Sequence, residues 1–118
     1  MVFDVRRSAD CGADLEAIFD HLVASYQALG DPIADALDRA EKRLLGIEDD
    51  IDTLAALPFQ GTLVPHILDG LRHVTKDRAV LYFRVDETAR QIFVLGVFFG
   101  GQDHQRHILK TIAELGQT

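Results

Sequence analysis

Cysteine is almost absent from this sequence: Cys11 is the only one among 118 residues. That rules out an intrachain disulfide and a cysteine metal cluster. It leaves Cys11 as either a small residue near a helix start or a nucleophile. Long apolar runs are absent too. The N-terminal MVFDVRRSAD has no apolar h-region, and no later stretch nears membrane-spanning length. No membrane association is expected, and a cytoplasmic location follows by default. There is no phosphate-cradling glycine loop, dinucleotide fingerprint or nucleophile–base pair, and Gly100–Gly101 is too short for such a loop. No cofactor is expected. Base is scarce in the first part of the chain: residues 1–65 carry 5 Lys/Arg against 13 Asp/Glu, and residues 66–118 carry 7 against 6. A net charge of −7 repels phosphate backbones, so direct DNA binding by this chain is not expected. A small basic site on the C-terminal half stays open.

What is present is globular. Apolar residues at 47% and charged residues at 26% fit one domain over residues 1–118. VFDVRR (Val2–Arg7) leans toward strand and ends at Ser8, a good N-cap. Leu15, Ile18, Phe19, Leu22, Val23 and Tyr26 then recur at helical spacing and form one apolar face. Gly30 supplies the break, Asp31 the next N-cap and Pro32 the first helical position. A second helix carries Ile33, Leu37, Ala40, Leu44, Ile47, Ile51 and Leu54 at alternating spacings of four and three, a seam that needs a partner helix. The short connection makes the first helix that partner, in an antiparallel αα-hairpin.

LPFQGTLVPHILDG (Leu57–Gly70) holds two prolines and two glycines and reads as a surface connection. Beyond it, Leu71–Thr75, Ala79–Val85 and Gln91–Phe99 are β-branched and aromatic runs separated by Lys76–Asp77 and Asp86–Arg90, which predicts antiparallel hairpins. HQRHILKTIAELG sets Ile108, Leu109, Ile112 and Leu115 on one helical face. The predicted fold is α+β in the order β-α-α-β-β-β-α, with the αα-hairpin packed on a small, mainly antiparallel sheet and a C-terminal helix.

Few constellations offer chemistry. His104 and His107 lie three apart near Asp103, but a zinc site needs a third ligand at recognised spacing, so no metal site is expected. Arg72, Lys76, Arg78 and Arg84 fall on or between the first two strands after the connection, and Arg106 and Lys110 follow the third. Alternation puts Arg72 with Val74 on one face, and Arg78, Val80, Tyr82 and Arg84 together on one face. These cations are either rim salt bridges or a shared functional surface. Asp35, Asp38, Glu41, Glu48, Asp49, Asp50 and Asp52 lie mostly off the helical seam, as a solvated face or a docking face for a basic partner. Phe98 and Phe99 should point to opposite faces of their strand, one toward the hairpin core and one toward the open sheet face.

The order and two segments carry a family resemblance. GLRHVTKDRAVLYFRVD followed by IFVLGVFFGGQD resembles the ParE/RelE superfamily of bacterial toxins from toxin–antitoxin modules. The matching features are Gly70–Leu71–Arg72 at a strand start, Phe83–Arg84–Val85 at a strand end, and the junction Phe99–Gly100–Gly101–Gln102–Asp103. SADCGADLEAIFDHL, with Asp14–Leu15, is similar to the family's first helix. RelE-like members are ribosome-dependent ribonucleases using arginines, lysines and a C-terminal tyrosine; ParE-like members inhibit DNA gyrase by binding it. In this sequence the two arginine positions of the ribonuclease fall on Val80 and Gly100, and the tyrosine position falls on Arg106. The acidic surface and these replacements leave cleavage without charge stabilisers. ParE-like sequences often keep basic residues where this chain has Gly101 and Gln102.

The resemblance therefore implies a ParE-like, non-enzymatic toxin of a type II module of the plasmid-stabilisation kind. It would bind and inhibit gyrase and be neutralised by a cognate antitoxin in a higher-order hetero-oligomer. Such antitoxins lay a C-terminal segment across the hairpin and sheet. The residues expected at the target or antitoxin surface are Arg72, Arg78, Arg84, Phe98, Phe99, Gly100, Gly101, Gln102, Asp103, His104 and Arg106. The alternatives are a RelE-like messenger-RNA endonuclease using a rearranged set such as Arg78, Arg84, His104 and Arg106, or a non-toxic partner-binding module of the same fold.

Overall fold

The computed structural model describes residues 3–99 together with Ile108, Ile112 and Ala113. Among described residues 3–99, seven elements follow in order: β1 (Asp4–Arg7), α1 (Ala9–Ala28), α2 (Ile33–Thr53), β2 (Thr62–Leu63), β3 (Leu71–Lys76), β4 (Ala79–Asp86) and β5 (Gln91–Phe99). The strands form one sheet in the order β1-β5-β4-β3-β2. β1 runs parallel to β5, and every other pair is antiparallel. The α+β class and the hairpin on one sheet face are as the sequence predicts.

α1 starts where the sequence places it. Ser8 is the N-cap, and its side chain accepts the Cys11 amide at 3.0 Å. Leu15, Ile18 and Leu22 are buried, with Phe19, Val23 and Tyr26 packed beside them. Gly30 takes φ +108 just beyond the helix, a conformation that costs a residue without Cβ little. α2 differs from its expected start: Pro32, not Asp31, is the N-cap, and it offers no side-chain cap. Asp31 is used elsewhere, accepting from Arg39 at 2.5 Å, while the Arg39 guanidinium lies 4.0 Å from the centre of the Tyr26 ring.

The α2 seam is half right. Ala40, Ile47, Ile51 and Leu54 are buried, but Ile33 and Leu37 are 52% and 43% exposed. Ala36 and Ala40 take the buried positions at the start of α2. Ile33 and Leu37 are thereby turned to the flank of the hairpin.

The segment expected to be a plain surface connection contains β2, which pairs Thr62 with His73 and Leu63 with Arg72. Val64 enters the core, and its amide donates to the Leu71 carbonyl at 2.9 Å. Two residues are too few to show strand periodicity among prolines and glycines.

Each sheet face has its own core. The helical face packs Leu81, Phe83, Ile92, Val94, Val97 and Phe99 against the hairpin. The other face gathers Val64, Leu71, Tyr82, Leu95, Phe98 and Ile108, with Ile112 beside them. Ile108, Ile112 and Ala113 are helical, so this face is covered rather than open. The expected C-terminal helix otherwise falls outside the described residues, Leu109 and Leu115 included.

Candidate functional site

The site expected at the end of β5 depends on a bulge in that strand. Tyr82 faces Gly96 and Phe83 faces Val94, leaving Leu95 as the extra residue on β5. An extra residue flips the side-chain alternation beyond it. Ile92 and Val94 face the helices and Phe93 and Leu95 the other side; after the bulge Val97 and Phe99 face the helices and Phe98 the other side. The opposite orientation of Phe98 and Phe99 is as expected, and the bulge decides which goes where.

A bulge frees backbone groups, and α1 satisfies two of them. The Ser8 hydroxyl donates to the Leu95 carbonyl at 2.7 Å, and Asp14 accepts the Val97 amide at 3.1 Å. Gly96 makes room for this: a Cβ there would lie 3.0 Å from Asp14 Oδ2 and 3.1 Å from the Phe98 ring. Cys11 sits under the same helix start, fully buried. Burial pushes its thiol up to about 11, against a smaller opposing pull from Arg7. This environment disfavours the thiolate, so the structure supports the small packed residue and not the nucleophile.

The three described arginines of the expected surface do not converge. Arg72 sits on β3 beside Val74's face, donates to the Phe59 carbonyl at 2.9 Å and lies 5.4 Å from the Phe59 ring centre. Arg84 is exposed on β4, across from Leu71 and Phe93, on the side away from the helices. Arg78 does not share that face. It occupies the two-residue turn between β3 and β4 with φ +73, next to Asp77 at φ +46, and reaches toward the helical side. Six residues of strand put Arg78 about 20 Å from Arg84 along β4. Among the described residues no rim salt bridge accounts for these cations either. Arg7, Arg39 and Lys42 do form ion pairs, on the helices and β1. Gly100, Gly101, Gln102, Asp103, His104 and Arg106 lie outside the described residues.

What does come together is a cleft of about 510 Å³ between the hairpin and the β3–β4 turn, bounded by His21, Tyr26, Leu29, Arg43, Arg78 and Phe99. Phe99 forms the centre. The Arg43 and Arg78 guanidiniums lie 5.2 Å and 5.7 Å from its ring centre. Arg43 also donates to the Asp77 carbonyl, tying α2 to the turn. Arg43 was not legible from sequence. It is one of three cations on an acidic helix, beside Arg39 and Lys42, and only the tertiary packing brings it next to Phe99. A second cleft, about 730 Å³, lies at the β4–β5 turn, where Arg84 shares the wall with Asp86 and Glu87. Among the described residues no three His, Cys, Asp or Glu side chains group as a metal site, and no helix is long and apolar enough to cross a membrane.

An αα-hairpin on a five-stranded mixed sheet with one parallel edge strand defines a small α+β fold, and the solved structures place it. The chain is similar to a chain of the chromosomal ParDE toxin–antitoxin system from P. aeruginosa, with a TM-score of 0.63 and 23% identity over 83% of this chain and 96% of that one. It is also similar to a chain of the toxin–antitoxin complex RelBE2 from Mycobacterium tuberculosis, with a TM-score of 0.57 and 14% identity over 84% and 99% of the two chains. The chain shares the fold of these two toxin–antitoxin chains. No protein-family model and no curated protein matches it.

Proposed function

We infer that this protein is the toxin of a type II toxin–antitoxin module. In this reading it acts as a ParE-like binding inhibitor of DNA gyrase and is neutralised by a cognate antitoxin in a hetero-oligomer. The observation that carries the choice of mechanism is the scatter of Arg72, Arg78 and Arg84, the described arginines of the expected site. A ribonuclease must stabilise a developing phosphorane with several donors aimed at one point. Here Arg72 and Arg84 project from opposite faces of the sheet, and Arg78 lies at the far end of β4. Val80, where the resemblance puts a ribonuclease arginine, packs against the apolar core that holds Tyr82 and Phe98. A rearranged nuclease set using both Arg78 and Arg84 is disfavoured by their separation. The acidic surface adds a repulsive field toward ribosomal RNA.

Induced expression in a sensitive bacterial host tests this. The expected result is growth arrest with relaxed or broken plasmid DNA and intact translated messages in primer extension. Codon-linked cuts in those messages, with plasmid topology unchanged, would replace the inhibitor by the ribonuclease. Normal growth under strong expression would leave only a partner-binding module.

A further inference from the structure

The Arg43–Phe99–Arg78 cleft sets two guanidiniums against a single carboxylate-bearing lining residue, Asp77, on an acidic protein. The chain carries 19 Asp and Glu, yet among the described residues no carboxylate forms an ion pair with Arg43 or Arg78. Asp77 contributes its backbone carbonyl to Arg43. A guanidinium has five N–H donors in a planar fork. Resting beside an aromatic ring, it keeps most of them available for an incoming planar anion.

Arg78 is also held at φ +73. A two-residue hairpin turn with both residues in the left-handed region suits Asn-Gly, so an arginine there is an unfavourable local choice. Such choices are retained where the side chain is used.

The surroundings select among anions. One wall is apolar, formed by Leu22, Tyr26, Leu29 and the Phe99 ring. Its outer edge is Leu29, which is 79% exposed. A nucleic acid or a lipid surface would extend over the acidic helices and be repelled there. A single carboxylate next to an apolar side chain meets only the local field, since charges further off are screened within about 8–10 Å.

We propose that this cleft is a receptor for an acidic–apolar peptide segment of a protein partner. One Asp or Glu carboxylate binds between Arg43 and Arg78, and a neighbouring apolar side chain lies on Leu29 and Tyr26. The inference stands on the cleft alone and does not require the toxin reading.

The test is a titration of the full-length chain with a short fluorescein-labelled peptide of repeated Glu-Leu pairs, read by anisotropy and by amide shifts. The uncharged Gln-Leu peptide and inorganic phosphate serve as comparisons. The Glu-Leu peptide is expected to move the amides of Arg43, Arg78 and Phe99 and to bind roughly tenfold or more tightly than its Gln-Leu counterpart. Arg78→Gly should weaken it by a similar factor while keeping or raising Tm, because glycine adopts this turn without a Cβ penalty. Arg78→Asn, which also tolerates the turn, should behave alike, and Arg84→Gln should bind as the parent does. Equal binding of the two peptides, undiminished binding by both Arg78 variants, shifts confined to other residues, or displacement by equimolar phosphate would each overturn the proposal.

Discussion

Ser8 and Asp14 hold the bulge that orients Phe98 and Phe99, and each reaches it from the start of α1. Ser8 accepts the Cys11 amide and donates to the Leu95 carbonyl, so Ser8→Ala removes a cap and a strand contact together. A loss of about 1–3 kcal/mol in urea unfolding is expected. Asp14→Ala strands the Val97 amide and should cost about as much, whereas Asp14→Asn keeps an acceptor and should cost less. Gly96→Ala should destabilise as well, by about 1–3 kcal/mol, because its methyl group meets the Asp14 carboxylate and the Phe98 ring. Cys11 gives a pH signature. Its buried thiol holds its proton up to about pH 11, whereas an ordinary cysteine thiol loses it near 9.0. The folded chain therefore binds the extra proton between those values, and stability must fall as pH rises through that window. Cys11→Ala should flatten that alkaline loss, and native Cys11 should resist alkylation at neutral pH until the chain unfolds. Sequence reading found Ser8 as a cap and placed Asp14 only by resemblance. The role of each at the bulge was hidden, because a bulge is a property of two strands in register and leaves no periodic mark in one.

The hairpin tip separates what α2 looks like in sequence from what it does in the fold. Seven apolar positions recur at coiled-coil spacing, and spacing alone gives all of them equal weight. The structure divides them: Ile47, Ile51 and Leu54 are buried, while Ile33 and Leu37 lie on the flank beside two small buried residues, Ala36 and Ala40. Ile47→Ala or Ile51→Ala should therefore cost about 2–5 kcal/mol. Ile33→Gln and Leu37→Gln should stay within about 1 kcal/mol of the parent in the same denaturation measurement. Equal losses at both ends would mean that the seam is buried throughout. β2 is the converse case, an element concealed by Pro and Gly. Its start needs Gly61 at φ +82, where a Cβ would collide with the His73 carbonyl. The long strands and both helices were legible because each spans enough residues for its period to show, whereas the turn expected at Lys76–Asp77 lies one residue later, at Asp77–Arg78.

At the scale of the whole molecule, the fold was legible and the site only in part. Element order and a few motifs pointed to the fold that these solved toxin–antitoxin chains share with it at 23% and 14% identity. A fold of this kind does not fix an activity. The expected arginine surface dispersed, since strand alternation was applied to Arg78, which belongs to a turn. The cluster that did form, Arg43 and Arg78 around Phe99, joins three elements distant in sequence and follows only from their packing. The charge asymmetry keeps its meaning: an acidic hairpin repels nucleic acid, and the functional reading rests on protein contacts. The most direct measurement is negative supercoiling of relaxed plasmid by purified gyrase with increasing amounts of this chain. The expected result is dose-dependent loss of supercoiling, relieved by the cognate antitoxin. Full supercoiling at a large excess of the chain, together with cleavage of messages on added ribosomes, would contradict the account.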